Sequence, residues 1–451
     1  MTDIAVLGLG ESGEAAARLA LNKGGTVHVS DLRTDTSTAA RGAELRALGA
    51  GVELGTHDVA RIAGAELVVV SPGIPPDAPV LVELRRRDVG WISEPEFAVR
   101  FYRGPLIAVT GTNGKTTTAV LIARLLEASG YRVGLGGNLG SALGPAASTL
   151  ALLDPVPDWF VLEVSSFQLA DVETFSPDVG VLTNLAQDHL DRYPDVERYH
   201  QDKSRLFANA TERSSWVLGD QPEVQALAGE AAGRRYTFSL TRDQGVHAFV
   251  RDGVLVLRLD PDGPDETLLA RADLPLLGLH NVANALAAAL AARLAGAETA
   301  GLAAGLRDAG PLPHRLEPVL ERGGVLWVND SKATNVAAAL SAIGSLDRPL
   351  VLLLGGKDKE EDLSQLVAGV GRGVRIAVCY GAAGPRLARA LADATEVLRA
   401  ESLEDAVAVA RGMVRPGDAL LLSPACSSFD EFTDYQERGR RFTELARGEA
   451  A

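Results

Sequence analysis

Thr110-Gly111-Thr112-Asn113-Gly114-Lys115-Thr116-Thr117 lies between the apolar run Leu106–Val109 and an apolar helical stretch that reaches about Glu127. A strand, a glycine-rich loop and a helix in that order are the context a phosphate-binding loop requires. Backbone amides at the helix start cradle phosphate oxygens, a lysine meets the β and γ oxygens, and a hydroxyl reaches magnesium. Val109 stands where the common form of this loop has its first glycine, yet both flanks are of the right kind. The stretch therefore predicts an ATP site built on Gly111, Thr112, Asn113, Gly114, Lys115, Thr116 and Thr117.

The same alternation of short apolar runs and longer helical stretches continues in both directions, which is the pattern of parallel α/β sheets. Strands are expected at Ile4–Leu7, Thr26–Val29, Leu67–Val70, Leu106–Val109, Phe160–Val164, Val179–Leu182, Leu350–Leu354, Ile376–Val378 and Ala419–Leu422. Between about Thr237 and Leu274 short strands with turn residues predict an antiparallel insert, and Val282–Ala295 reads as a strongly apolar, alanine-rich helix. Joints are expected near Phe101–Pro105 and Gly310–Pro313. The fold class is thus α/β in three domains: a Rossmann-like domain at 1–102, a central P-loop ATPase-like parallel-sheet domain at 103–311, and a Rossmann-like domain at 312–451.

Bulk properties narrow the function. The chain has 451 residues, of which 46% are hydrophobic and 23% charged, as in a soluble globular protein. A net charge of −15 argues against nucleic-acid binding, which needs a basic surface to neutralise phosphates. Cys379 and Cys426 cannot make a disulfide framework, so a reducing compartment is expected. No signal peptide opens the chain and no apolar run approaches the roughly 20 residues that cross a bilayer. A cytoplasmic monomer without membrane insertion is the expectation. Lysine and arginine together number 44, and only Lys23, Lys115, Lys203, Lys332, Lys357 and Lys359 are lysine. Where arginine serves almost every cationic need, a retained lysine can mark a place that requires a compact charge or an amine able to lose its proton.

Other clusters carry chemistry. Gly8-Leu9-Gly10-Glu11-Ser12-Gly13, with Asp31 ending the next strand, has the form of a dinucleotide fingerprint. A tight turn without a ligand would also explain it, and it points to a nucleotide more firmly than to NAD. Glu163 ends a buried strand beside the phosphate loop, a suitable position for a magnesium ligand. Asp188-His189-Leu190-Asp191-Arg192-Tyr193 follows the next strand. Pro313-His314-Arg315, Asn329-Asp330-Ser331-Lys332-Ala333-Thr334-Asn335 and Gly355-Gly356-Lys357-Asp358-Lys359 lie in loops or at strand ends, where open α/β sheets bind ligands.

Taken together, these residues resemble the Mur ligase family of peptidoglycan synthesis. The phosphate loop at 111–117 and GlyLeuHisAsnValAlaAsn at 278–284 resemble the family's ATP loop and adenine-contacting helix. Its D-glutamate-adding branch is resembled through SerProGlyIle at 71–74, GluValSerSerPheGlnLeu at 163–169, AspHisLeuAspArgTyr at 188–193, AsnAspSerLysAlaThrAsn at 329–335 and SerProAlaCysSerSerPheAspGluPhe at 423–432. Tyr435 departs from the pattern, standing where a phenylalanine is common.

The resemblance implies roles for individual positions. Glu11, Ser12, Asp31, Arg33, Ser71 and Gly73 would hold a UDP group, and Asn138, Ser165, Gln168 and His189 would face the muramoyl-alanine end. Lys115, Thr116, Glu163, Asn281, Asn284, Arg315 and Asp330 would bind ATP and magnesium. Lys332, Thr334, Lys359, Ser428 and Phe429 would line the amino-acid site. Lys203 aligns with a lysine that takes up carbon dioxide as a carbamate, which with His189 would hold a second Mg2+ beside the one on Thr116 and Glu163. The implied activity is ATP-dependent addition of D-glutamate to UDP-N-acetylmuramoyl-L-alanine, with ADP and phosphate released. Lys115, Glu163, His189, Lys203 and Lys332 would be catalytic. Rival readings are another amide ligase such as a folylpolyglutamate synthase, an NAD-dependent oxidoreductase on residues 8–31, and a P-loop switch without small-molecule chemistry.

Overall fold

The structure is a computed structural model that describes residues 2–140, 142–188, 192–260, 262–358, 361–371 and 373–448. The chain forms two compact units: Met1–Arg271 with Asn284–Arg307, and Ala272–Ala283 with Asp308–Ala451.

The first unit contains two sheets. One is wholly parallel, in the order Gly51–Leu54, Thr26–Asp31, Asp3–Leu7, Leu67–Val70, Ile92–Ser93. Because strand side chains alternate between faces, Ile4 and Val6 join one apolar cluster and Ala5 and Leu7 the other. Both faces are covered, as parallel sheets require. The second sheet runs Glu266–Ala270, Val254–Leu257, Ala248–Arg251, Arg234–Phe238, Ser215–Gly219, Val179–Leu182, Leu106–Thr110, Trp159–Glu163, Val133–Gly137. Its last six strands are parallel. The expected antiparallel insert is narrower than its sequence span, since only the strands within 248–270 pair antiparallel and Arg234–Phe238 still lies parallel to its neighbour.

The second unit holds the third sheet, ordered Glu317–Arg322, Val325–Asn329, Ala419–Ala425, Leu350–Gly355, Val374–Tyr380, Glu396–Arg399. Only its first pair is antiparallel. Leu350, Leu352 and Leu354 point to one core, Val351 and Leu353 to the other.

The stretch Glu197–Ala210, which carries Lys203, reads in the sequence as a single helix, and the helix that forms is shorter. The α-helix Val196–Ser204 stops before Ala210 and tightens into a 3-10 turn at Arg205–Phe207. There Leu206 and Phe207 turn into the core, and the Arg205 guanidinium donates to the carbonyls of Leu169 and Val172. Among the described residues no helix is long and apolar enough to cross a membrane.

Candidate active site

At the C-terminal edge of the first sheet a cavity of about 860 Å³ is lined by Gly8, Gly10, Glu11, Ser12, Asp31, Arg33, His57, Ser71 and Gly73, among others. All six residues predicted for a UDP group border it. Its floor depends on a close backbone approach: a Cβ at Gly13 would stand 1.8 Å from the Gly8 carbonyl oxygen. Asp31 accepts hydrogen bonds from the Leu9 amide at 2.6 Å and from the Arg33 amide at 2.8 Å. Burial alone would raise its pKa, but the Arg33 side chain and these amides outweigh that effect and hold it below the usual carboxylate value. The carboxylate is therefore kept charged as it organises the turn.

The phosphate loop lies at the same edge of the second sheet, because Leu106–Thr110 runs between Val179–Leu182 and Trp159–Glu163. Gly114 precedes the helix Lys115–Ala128 with φ +81°, a left-handed conformation that favours glycine. Lys115 Nζ donates to the carbonyls of Gly111 and Thr112 at 3.0 and 2.8 Å. Thr116 Oγ1 donates to Glu163 Oε2 at 2.6 Å, and Asn138 Nδ2 donates to Glu163 Oε1 at 2.9 Å. Glu163 is only 2% exposed. Thr112 and Asn113 are backed by the segment after the neighbouring strand: the Thr112 amide donates to the Asn184 carbonyl, the Asn113 amide to Asn184 Oδ1, and Thr183 Oγ1 to the Asn113 carbonyl.

Lys203 is 1% exposed and so is not a solvated surface lysine. Its Nζ donates to the Gly111 carbonyl at 2.9 Å and lies 4.5 Å from the Tyr199 ring centroid. Burial, with Lys115 adding like-charge repulsion, pushes its pKa well below that of an ordinary lysine. Ser165 and Gln168 form a capping box, with Gln168 Oε1 accepting from the Ser165 amide and hydroxyl. The side chain of Gln168 is thus committed to the start of a helix. Asn284 is buried against Gly114 and Thr118, whose hydroxyl lies 3.4 Å from Asn284 Oδ1. His189 and Lys359 lie outside the described residues.

In the second unit Asp330 accepts from the Leu316 amide at 3.1 Å and from Ser423 Oγ at 2.9 Å. Burial outweighs both bonds and pushes its carboxyl up to about 7. Lys332 Nζ sits 4.1 Å from the Tyr435 ring centroid, and the Thr334 amide donates to the Lys332 carbonyl. Ser428 is buried, whereas Phe429 is 66% exposed. Asn281 Nδ2 donates to the Leu277 carbonyl. The Arg315 amide donates to the Leu312 carbonyl.

Arg438 organises these loops and was not anticipated. It is 0% exposed. Its Nε donates to Ser331 Oγ, Nη2 to the Ser331 carbonyl, and Nη1 to the Cys426 and Ser427 carbonyls at 2.8 to 3.3 Å. A periodic signal existed: Arg438, Phe442 and Leu445 share the buried face of the helix Tyr435–Arg447, so an arginine occupies an apolar stripe.

Among the described residues no cluster of three or more His, Cys, Asp or Glu side chains stands ready for a metal. Magnesium needs less from a protein, since it keeps waters and takes substrate phosphate oxygens alongside one or two carboxylates. The hard oxygens of Glu163 and Thr116, already 2.6 Å apart, fit that demand.

Three family models match the chain in succession: "Mur ligase MurD-like, N-terminal domain" at 2–93, "Mur ligase middle domain" at 109–292, and "Mur ligase, glutamate ligase domain" at 314–426. The chain belongs to the Mur ligase family of ATP-dependent ligases. It is similar to the UDP-N-acetylmuramoylalanine--D-glutamate ligase of Acidobacterium capsulatum, at 40% identity over 99% of this chain and 97% of that one. The protein of the same name from Geotalea uraniireducens is also 40% identical, covering 98% and 97%. Among solved structures, the UDP-N-acetylmuramate-alanine ligase MurC of Thermotoga maritima superposes with a TM-score of 0.63 at 18% identity over the whole of both chains, a likeness of fold.

Proposed function

We infer that this protein joins D-glutamate to the alanine carboxylate of UDP-N-acetylmuramoyl-L-alanine, with ATP cleaved to ADP and phosphate, in cytoplasmic peptidoglycan precursor synthesis. One observation carries the reading: near full-length 40% identity to ligases of that name, in a chain whose phosphate loop holds Thr116 against the buried Glu163. Residues 1–102 would take the UDP group, 103–311 the ATP, and 312–451 the amino acid.

The alanine carboxylate attacks the γ-phosphorus, ADP leaves, and the amine of D-glutamate then displaces phosphate from the acyl phosphate. Side chains do little covalent work here; positioning and charge neutralisation dominate. Lys115 would neutralise the β and γ oxygens, the 111–117 amides would fix their orientation, and Asn281, Asn284, Arg315 and Asp330 would hold the rest of the nucleotide. Glu11, Ser12, Asp31, Arg33, Ser71 and Gly73 would hold the UDP group, and Asn138, Ser165, Gln168 and His189 would flank the acceptor. Lys332, Thr334, Lys359, Ser428 and Phe429 would receive the amino acid. Thr116 and Glu163 would hold one magnesium ion, and His189 with carbamylated Lys203 a second. Magnesium supplies charge neutralisation on the phosphates when bound. Only a neutral amine adds to carbon dioxide; its nitrogen bonds the carbon, one proton is released, and an anionic carbamate remains. The burial that depresses Lys203 supports that chemistry.

A phosphate-release assay across UDP-sugar acceptors and D- and L-amino acids tests the reading. ADP and phosphate should appear only with both the UDP-linked acid and D-glutamate. AMP with pyrophosphate, or a preference for alanine or a diamino acid, would overturn it.

A further inference from the structure

Arg192 belongs to a motif singled out in the sequence but takes no part in the chemistry above. Its guanidinium spans two elements far apart in sequence. Nη1 donates to the Pro72 carbonyl at 3.0 Å and Nη2 to the Ile74 carbonyl at 3.1 Å. Pro72 and Ile74 themselves line the first-sheet cavity. The other face of the guanidinium packs on the Phe167 ring, 4.0 Å from its centroid. A planar fork can satisfy two carbonyls and stack on a ring at once, which a lysine cannot.

The contacts continue without a gap. Phe167 stacks on Tyr193 at 5.4 Å with an interplanar angle of 9°, and Tyr193 meets Tyr199 edge-on at 5.3 Å. The Tyr199 hydroxyl donates to Thr112 Oγ1 at 3.3 Å inside the phosphate loop. Tyr193 and Tyr199 are both buried, so neither ring can shift without repacking its neighbours. A run of close contacts thus leads from the cavity rim to the loop at 110–117, all within one compact unit.

We propose that Arg192 is a positioning residue that couples occupation of the first-sheet cavity to nucleotide binding at the phosphate loop. The inference rests on the assignment of a UDP group to that cavity and ATP to that loop. A ligand filling the cavity packs against Pro72 and Ile74 and holds their carbonyls where Arg192 needs them. Arg192 then holds Phe167, and through the two tyrosines the wall behind Thr112. Coupling of this kind is reciprocal, so nucleotide should tighten the cavity's ligand by the same factor.

The test measures binding of a non-hydrolysable ATP analogue by calorimetry with and without saturating UDP, and UDP binding with and without the analogue. In the wild-type protein each ligand should tighten the other by about fivefold or more, the lower end of ordinary allosteric coupling. In Arg192→Met, which keeps an unbranched stem but loses the fork, both single-ligand affinities should survive and the factor should fall to one. Phe167→Leu, which leaves the arginine its two carbonyls, should lose the factor as well. Independent binding in the wild type, or a wild-type factor in both variants, would overturn the proposal. Failure of UDP to bind the wild-type protein would instead remove the assignment beneath it, and the proposal with it.

Discussion

Lys203 Nζ and Lys115 Nζ both donate to the Gly111 carbonyl oxygen, at 2.9 and 3.0 Å. Two amines meeting at one acceptor, one of them fully buried, is a costly arrangement for two positive charges. It becomes reasonable if Lys203 works as a neutral amine. Phosphate release should therefore be nearly abolished in Lys203→Ala and partly restored by acetate. Lys203→Arg places a permanent cation there that cannot carbamylate, and should be inactive. Near-normal turnover in the arginine variant would refute the carbamate.

Lys115→Ala should lower kcat/KM by about 10²–10³-fold, the ~3–4 kcal/mol typical of losing one preorganised donor. The loss should fall mainly on kcat. A variant that only raised the KM for ATP would place Lys115 in ground-state binding instead.

Gly114→Ala should weaken nucleotide binding through Asn284. The added Cβ would stand 2.2 Å from Asn284 Oδ1, at a φ of +81° that alone strains an L residue by about 1–3 kcal/mol. Gly130 serves as the control, having φ +90° but no neighbour within 4 Å of an added Cβ. Both alanine variants should melt at lower temperature, and only Gly114→Ala should raise the Kd for ATP.

Arg438→Met should destabilise the protein by at least about 3 kcal/mol in urea titrations, because several buried carbonyls lose their donor together. Arg438→Lys should restore little, since one ammonium cannot span Ser331 and the 426–427 carbonyls. At partial stability the KM for D-glutamate should rise while the Kd for UDP stays near the wild-type value, as the Ser428 loop loses its anchor and the first-sheet cavity does not.

Glu94 should make stability depend on pH. Its carboxyl is buried, accepts from the Ser148 amide, and is pushed by desolvation up to about 7 from an ordinary 4.5. A folded-state pKa above the unfolded one means the native state holds the proton more tightly. The stabilisation is therefore complete below about pH 4.5 and disappears as pH rises through about 7, with an upper magnitude of about 3 kcal/mol. Asp330 contributes with the same sign, so the difference between wild type and variant is the quantity to follow. Glu94→Gln should melt with a smaller drop between pH 5 and pH 8 than the wild-type protein shows.

Features that depend on neighbours along the chain were legible in the sequence. The loop at 110–117 announces itself through the strand before it and the helix after it, and Leu67–Val70 and Val179–Leu182 coincide with their apolar runs. The Gly8–Gly13 turn was legible too, though its ligand was open between nucleotides. The end of the helix at Ser204 was not, since its cause is the docking of Leu206 and Phe207 into a core assembled from distant strands.

Sequence by itself determined the α/β class, the strand–loop–helix of the phosphate site and the residue types around it, because spacing and flanks carry that information locally. Only the tertiary structure decided that Lys203 is buried on Gly111, 92 positions away, and that Arg438 reaches Ser331 across 107. It also decided that Arg192 joins a cavity rim to an aromatic stack. Burial and hydrogen-bond partnership depend on which distant segments meet, and a charged side chain reads the same in sequence whether it will face water or two carbonyls in a core.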